Sequence, residues 1–456
     1  MEVKRVHDTM GEVIIPEGAY YGAQTARSLE HFPPVRGIMP LPVVYAIATI
    51  KKAAAEVNAQ KGLLSAEKAR SIAKVVDEIH DGRFDDQFPL SIWQTGSGTQ
   101  TNMNVNEVIA NRGNELSGQT LLHPNDDVNR SQSSNDVFPS AIHLATLLAL
   151  REEFVPEADA LVASLDAFIA REGETLKTGR THLQDATPIT VGQEASAWRT
   201  AIDEGKRRIV EASRELEALP IGGTAVGTGL NAPEGFDGDI CAVLSRETEL
   251  SLRPLENKFY GLSMKSPVLR VHGTLKAFAA DLNKIVQDVR FLSCGPRCGI
   301  GEYRIPANEP GSSIMPGKVN PTQVEAASMI AFQVMANDFA VTLAATSGQL
   351  QLNTYMPLLI RNVLESIALL ALALNGLRRF LFDGMAVNAV RMGALLDRSL
   401  MRVTALSPVI GYEAAAEIAH RADENDTTLR EEALKSGRLS AEELDDLLDP
   451  RRMIGR

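Results

Sequence analysis

Five long stretches of the sequence carry apolar residues at helical spacing, and they constrain the fold more than any other feature. They lie near 138–171, 193–217, 265–293, 323–345 and 360–385. In the third stretch, Leu275, Leu282 and Val289 are spaced by seven residues, and a second apolar row begins at Phe278. This spacing is typical of a seam between packed helices. Because the apolar residues occupy more than one face, the pattern predicts a bundle that packs against other subunits.

The rest of the chain also favours helices. Aromatic residues make up only 5% of the sequence, while Ala and Leu are abundant, which favours helices over sheets. One shorter helix is expected to begin at Ser65. Another has a capping box at Ser440 and Glu443 and should end before Pro450. We therefore expect an all-α chain whose last part, from about residue 389, is a small helical domain.

Charge and hydropathy exclude several classes of protein. The chain has 58 acidic and 46 basic residues and a net charge of -12, which argues against general binding of nucleic acid or anionic membranes. The longest purely apolar run, Ile367–Leu374, is far shorter than the roughly 20 residues of a membrane span. The N-terminal residues lack the apolar stretch of a signal peptide. We expect a cytoplasmic protein whose pocket for an anionic substrate is locally basic.

The cysteines do not form a recognisable site. Cys241, Cys294 and Cys298 are too few for a disulfide framework or a four-thiolate cluster. Cys294 and Cys298 could in principle bind a metal, but no nearby His or further Cys completes a site. We expect buried thiols and no metal site.

Polar, glycine-rich segments interrupt the helices at four places. The first island, Gly96–Glu107, combines small residues with Thr and Asn side chains, so backbone N–H groups can approach a ligand there. It could also be a polar helix N-terminus. The second island, His123–Asp136, has more hydrogen-bond donors than a helix cap needs. Its position before a long helix favours a carboxylate-binding site.

The other two islands contain the candidate acid–base groups. The third island, Thr178–Pro188, contains His182, which is expected in a loop between two helices. A structural role for this His is the alternative, but a general acid or base would occupy such a position. The lid, Glu309–Pro321, has Pro-Gly pairs on both sides of a Ser pair and a Lys. It lacks the glycine spacing and the following Ser or Thr of a phosphate loop, and the glycines of 222–229 lack the dinucleotide pattern.

Together the four islands resemble the class II fumarases over nearly the whole chain, and the lid is similar to the signature of the fumarase/aspartase superfamily. The resemblance implies three domains, 1–135, 136–388 and 389–456, with a central five-helix bundle. It also implies a homotetramer with a core of twenty helices, active sites that each draw on three subunits, and no metal or organic cofactor. The substrate would be a small dicarboxylate, fumarate or L-malate.

The same resemblance assigns roles to residues. Ser312 would be the base, His182 the second catalytic group, Glu325 its charge partner and Lys318 a cation beside the base. The substrate-binding residues would be Ser97, Thr99, Ser133, Ser134, Asn135, Thr181, Lys318 and Asn320. A second, peripheral anion site would comprise His123, Asn125 and Asp126.

Two features bear on the choice of substrate. Fumarases resemble this chain in the sequence Gly-Arg-Thr-His that ends at His182, whereas aspartases usually carry Gln in place of the His. Met356 is a departure, because fumarases usually place a basic residue before this proline. An aspartate ammonia-lyase and a mesaconate hydratase are therefore the alternatives. An inactive structural protein on this scaffold is a remote alternative. The joint presence of four residues argues against it: Ser312, Lys318, Asn320 and His182.

Overall fold

The computed structural model describes residues 2–35 and 37–455, and these residues form a mainly helical chain. The helices are α1 Ala23–His31, α2 Leu41–Gln60, α3 Ala66–His80, α4 Thr99–Ser117, α5 Ser134–Ala149, α6 Val155–Glu172, α7 Val191–Ser213, α8 Phe236–Thr248, α9 Lys258–Ser263, α10 Ser266–Leu292, α11 Thr322–Thr346, α12 Met356–Leu377, α13 Ala389–Arg398, α14 Ser407–Ile410, α15 Tyr412–Glu424, α16 Leu429–Lys435 and α17 Ala441–Leu447. The prediction of an all-α fold class is confirmed.

Four small two-stranded sheets accompany the helices. The strands are β1 Val3–Asp8, β2 Gly11–Pro16, β3 Leu176–Thr181, β4 Gln184–Thr190, β5 Ala218–Leu219, β6 Arg253–Pro254, β7 Tyr303–Arg304 and β8 Ala386–Val387. β1 pairs with β2, β3 with β4, β5 with β6 and β7 with β8; the β5–β6 pair is parallel and the others are antiparallel. The sheets are connecting pieces rather than a core.

All five long helical stretches predicted from the sequence are present. The first is α5 and α6, joined by a π-helical segment, Leu150–Phe154. The other four are α7, α10, α11 and α12. Leu275, Leu282 and Val289 of α10 are all fully buried. The predicted seam is therefore confirmed as a packing surface.

The described residues group into two compact units. The first unit lies within Met1–Pro156, Lys206–Ala279 and Phe332–Ala371, and the second within Glu157–Gly205, Ala280–Ala331 and Leu372–Arg456. In the first unit, α2 is largely buried and contacts α3, α4, α5 and α8. Ser65 caps α3, as predicted, by accepting a hydrogen bond from the Lys68 N–H.

In the second unit, the C-terminal helices have a small core of their own. It consists of Leu406, Ala415, Ile418, Ala422, Leu429, Ala433, Leu444 and Leu448. The predicted capping box of Ser440 and Glu443 begins α17, which ends before Pro450. The domain boundaries at 135 and 388 stay a prediction.

Two helical stretches within the described residues, Thr322–Thr346 and Met356–Phe382, are long and apolar enough to cross a membrane by length and composition alone. Both belong to the predicted bundle. Helices whose apolar sides are covered by other helices have the same composition as membrane spans. The composition of these stretches therefore fits bundle helices equally well.

The three cysteines differ in environment. Cys241 is buried, and burial raises the pKa of its thiol to about 12. Cys294 is half-buried, whereas Cys298 is exposed. The expectation of buried thiols is wrong for Cys298 because this residue lies outside the helix, in a turn that follows the end of α10.

Candidate active site

The first island is the N-terminus of α4, so the interpretation as a polar helix N-terminus is correct in structure. Ser97 and Thr99 lie together, with their hydroxyl oxygens 2.8 Å apart. Gly98 has a positive φ of 73°, and a Cβ there would lie 2.2 Å from the Phe138 ring. A Cβ on Gly96 would lie 1.3 Å from the Thr354 carbonyl oxygen. Both glycines are therefore required by close contacts.

Met356 lies beside this island. Its N–H donates to the Gly96 carbonyl oxygen at 3.0 Å, and its side chain is fully buried. The residue that departs from the usual fumarase pattern is thus attached to the backbone of the first island.

The second island leads into α5. Ser133 is the N-cap of this helix and forms a capping box with Asp136, which confirms the predicted cap. The Ser134 hydroxyl accepts a hydrogen bond from the Asn102 side chain at 3.0 Å. The Asn135 side-chain amide donates to the Ala225 carbonyl oxygen at 2.8 Å. The first unit therefore contains three adjacent polar residues at a helix N-terminus, where partial positive charge favours an anion.

The three residues of the predicted second anion site lie close together. The Asp126 N–H donates to His123 Nδ1 at 3.1 Å, and an Asp126 carboxylate oxygen lies 3.2 Å from the same nitrogen. His123 and Asn125 line a cavity of about 650 Å³ with Arg27. Asn125 and Asp126 line a neighbouring cavity of about 520 Å³. Both cavities are in the first unit.

The third island is a β-hairpin rather than the loop that the sequence suggested. Thr181 of β3 pairs with Gln184 of β4, and the two residues between them, His182 and Leu183, have positive φ angles of 57° and 60°. Such a two-residue turn matches the twist of paired strands. The expectation of an irregular loop was wrong because two short strands, β3 and β4, lie between the flanking helices. His182 is exposed at the tip of the hairpin.

A buried charge network, which the sequence analysis missed, anchors this hairpin. Arg180 donates to a Glu302 carboxylate oxygen at 2.9 Å, and the other oxygen of Glu302 lies 2.9 Å from Lys177 Nζ. Lys177 also donates to Glu194 at 2.8 Å. Lys177 and Glu302 are almost completely inaccessible to solvent. Arg180, the residue just before Thr181, thus belongs to a network of two acids and two bases.

The lid folds around the Ser312 hydroxyl. The Ser312 oxygen accepts hydrogen bonds from the N–H groups of Met315, at 3.0 Å, and of Ile314, at 3.3 Å. The Asn320 side-chain amide donates to the Gly311 carbonyl oxygen, which holds the two ends of the lid together. Two backbone donors on one hydroxyl oxygen are an arrangement that stabilises negative charge.

A cavity of about 650 Å³ in the second unit reaches from the lid to α10 and α11. Its lining includes Lys318, Asn320, Glu325, Arg290 and Cys294. Arg290 forms an ion pair with Glu325 at 3.3 Å. Arg290 is therefore a partner of Glu325 in the same subunit, and the predicted pairing of Glu325 with His182 stays a prediction.

The predicted residues thus fall into separate groups. The first unit contains Ser97, Thr99, Ser133, Ser134 and Asn135, together with His123, Asn125 and Asp126. The second unit contains Thr181, His182, Ser312, Lys318, Asn320 and Glu325. Among the described residues, no cluster of three or more His, Cys, Asp and Glu side chains is arranged to hold a metal ion.

The chain is similar to known families and proteins over most of its length. A family described as "Lyase" matches residues 11–336, and one described as "Fumarase C C-terminus" matches residues 403–455. A protein from Thermosynechococcus vestitus, named fumarate hydratase class II, is 51% identical over 454 residues, which is 98% of this chain and 97% of that protein. A protein of the same name from Bacillus subtilis is 49% identical over 459 residues and covers 100% of this chain and 99% of its own length. The crystal structure of a class II fumarase from Schistosoma mansoni superposes with a TM-score of 0.96 at 39% identity, covering 99% of each chain.

Proposed function

The chain belongs to the class II fumarase family, and from this membership we propose that it is a lyase that catalyses the reversible hydration of fumarate to L-malate. The single observation that carries the proposal is an identity of about half with proteins named fumarate hydratase class II over nearly the full length of the chain. The polar islands agree with it, because they supply hydrogen-bond donors for a dicarboxylate.

The difficult step is removal of a proton from the carbon beside a carboxylate. The resulting aci-carboxylate carries two negative charges on one group, so the site must present concentrated donors to it. In the proposed site these donors are Ser97, Thr99, Ser133, Ser134, Asn135, Thr181, Lys318 and Asn320. His123, Asn125 and Asp126 form a second, peripheral anion site.

Ser312 is the proposed base that takes the proton. A serine alkoxide needs strong stabilisation, and the N–H groups of Ile314 and Met315 already point at the Ser312 oxygen. Lys318 belongs to the same lid and adds a positive charge. Closure of the lid would exclude water and strengthen these interactions.

His182 is the proposed second catalytic group, acting on the leaving hydroxyl directly or through water. Hydroxide leaves poorly near neutral pH, and an imidazole is a suitable proton donor to it. Glu325 is its proposed charge partner in the assembled site. The exposed position of His182 at a hairpin tip leaves the imidazole free to meet other elements.

We propose a homotetramer in which each active site draws on three subunits. Phe332, Phe339 and Leu343 are large apolar residues of α11 that are exposed in the single chain, and burying them in a bundle would be favourable. Light scattering tests this proposal. A fully active monomer of 49.4 kDa would refute it.

The proposal includes a cytoplasmic location and no requirement for metal or an organic cofactor. It also includes no nucleic-acid partner and no membrane association, which fits the net charge of -12. Chelator treatment of the purified enzyme should leave its activity intact. Loss of activity that is restored by added metal would contradict the metal-free mechanism.

The decisive assay follows fumarate formation from L-malate by ultraviolet absorbance, with L-aspartate and mesaconate as competing substrates. We expect malate turnover and little or no ammonia from aspartate, because an ammonium leaving group arrives already protonated and has less need of the His182 acid. A higher kcat/KM for aspartate or mesaconate would disprove the fumarase function while leaving the superfamily intact. Met356 is the residue to examine in that event.

A further inference from the structure

Lys51 is a buried cation beneath the second island. It lies four residues after Ile47, on the apolar side of α2, and its side chain is fully buried. Its ammonium group donates to Asn129 Oδ1 at 2.8 Å and to Gln132 Oε1 at 3.0 Å. Both acceptors belong to the second island. A buried lysine is costly unless it is paired or hydrogen-bonded, so its position calls for an explanation.

The ammonium group fixes the direction of the amides around it. An ammonium can only donate, so Asn129 must turn its oxygen toward Lys51. The same oxygen accepts from the side-chain amides of Asn102, at 3.1 Å, and Asn106, at 3.2 Å. If Asn102 were turned round, two carbonyl oxygens would face each other. Lys51 therefore sets the orientation of Asn102 through Asn129.

The orientation of Asn102 in turn decides what Ser134 can do. The Asn102 side-chain nitrogen donates to the Ser134 oxygen at 3.0 Å. A hydroxyl that accepts at this position keeps its own proton for another acceptor. Ser134 is the first residue of α5, where a carboxylate is favoured by the helix terminus.

We propose that Lys51 is a positioning residue for substrate binding, which acts through Asn129 and Asn102 to keep Ser134 a hydrogen-bond donor toward a substrate carboxylate. The inference rests on the proposed function, because the carboxylate is that of fumarate or malate. We name these residues, Lys51, Asn129, Asn102 and Ser134, the buried relay.

The charge state of Lys51 should then matter. From α5 it is faced by Asp136, whose carboxylate accepts from the N–H groups of Gly222 and Thr224, each at 2.9 Å. The groups that contact it from the second island are neutral amides. Burial lowers the pKa of Lys51 to about 7, while the charge of Asp136 acts in the opposite direction. A neutral amine no longer forces the direction of Asn129, so KM should rise as the pH increases through this range.

The test is a Lys51→Met variant assayed with L-malate. We expect KM to rise about tenfold near pH 6.5, equivalent to the loss of one hydrogen bond of about 1.4 kcal/mol, with kcat changed less than about threefold. The ratio of the two KM values should fall near pH 8.5, because the parent enzyme has then lost the charge as well.

Lys265→Met is the matched control. Lys265 is also fully buried, and its pKa is likewise lowered to about 7. However, its ammonium group donates to the backbone carbonyl oxygens of Gly261, Leu262 and Met264, outside the buried relay. This variant loses the same buried charge, so we expect its KM to stay at the parent value.

Four results would each overturn the inference, and the first two come from Lys51→Met and its control. One is an assembled Lys51→Met enzyme with unchanged KM, and the other is an equal rise of KM in Lys265→Met. If Lys51→Met does not fold, Asn102→Leu breaks the buried relay nearer to Ser134 and should raise KM by a similar factor; an unchanged KM there also refutes the relay. Where Lys51→Met and Asn102→Leu both fold, their effects on KM should be less than additive in the double variant, when expressed as free energies. Full additivity would disprove a shared path. Lack of malate turnover by the parent enzyme would instead defeat the proposed function itself.

Discussion

The second island and the lid both contain serines that we expect to meet the same substrate, yet they are built differently. Ser134 is 9% exposed and is held by a buried side chain, Asn102. Ser312 lies in a surface segment where Ile314 is 82% exposed, and its partners are backbone N–H groups of the lid itself. The first arrangement is fixed before substrate arrives, whereas the second depends on the conformation of one loop. In the proposed mechanism, substrate binding would thus rely on a rigid part of the molecule and proton removal on an adaptable part.

The largest expected effect is in the lid. Ser312→Ala should lower kcat by at least roughly 10²-fold, the scale of losing a positioned acid–base group, while the fold and the assembly persist. Steady-state kinetics with malate measure this fall in kcat. Near-normal turnover in a correctly assembled Ser312→Ala enzyme would remove Ser312 from the role of base and would break the contrast between the two regions.

A smaller effect, on stability, is expected at Gly98 of the first island, which packs against the helix that follows the second island. Gly98→Ala introduces a Cβ that would lie 2.2 Å from the Phe138 ring, at a residue with positive φ, and should cost about 2 kcal/mol of stability. Gly118→Ala is the control at the other end of α4, where φ is also positive and nothing lies within 4 Å of the added Cβ. It should cost only about 1 kcal/mol. Equal falls in Tm for the two variants would show that the packing around Gly98 yields easily.

The smallest effect concerns buried charge in the first unit. The pKa of Lys265 in the folded chain is lowered by burial to about 7, well below the value of about 10.4 for an unfolded chain. Between these values the unfolded chain binds more protons, so the stability of the parent rises with pH. Lys265→Met lacks this contribution. The parent should therefore gain roughly 1.9 kcal/mol over the variant from about pH 6.5 to about pH 8.5.

Denaturant unfolding at the two pH values measures this gain. Lys52→Met is the comparison, because Lys52 is paired with Asp77 and Glu247 and these partners hold its pKa above the ordinary range, against the effect of burial. The parent should show no such gain over Lys52→Met in this window. The same difference between parent and Lys265→Met at both pH values would mean that Lys265 keeps its proton in the folded chain.

Local patterns in the sequence predicted the features that depend on neighbouring residues. The spacing of Leu275, Leu282 and Val289 identified the buried side of α10, and the capping box at Ser440 and Glu443 located the start of α17. Each of these signals lies within one element. The family resemblance added the candidate site, which no periodicity could have supplied.

The features that were missed depend on contacts between distant parts of the chain. Arg180 and Glu302 are 122 residues apart, and Lys51 and Asn129 are 78 residues apart. The sequence around each of these residues contains no pattern that identifies its distant partner. One signal was nevertheless available, because a lysine four residues after Ile47 falls on the apolar side of a helix, where it must find buried acceptors.

The division of the chain into two units has a consequence for its biosynthesis. The first unit is made of three separate segments, and the last of them begins only at Phe332. At the usual rates of 5–20 residues per second, a ribosome needs roughly 20 to 70 seconds to reach that point. During this time the first island is complete but lacks the segment with Thr354 and Met356 that contacts Gly96. The first unit therefore cannot be completed until most of the message has been translated, and a slow codon before Phe332 would prolong that delay.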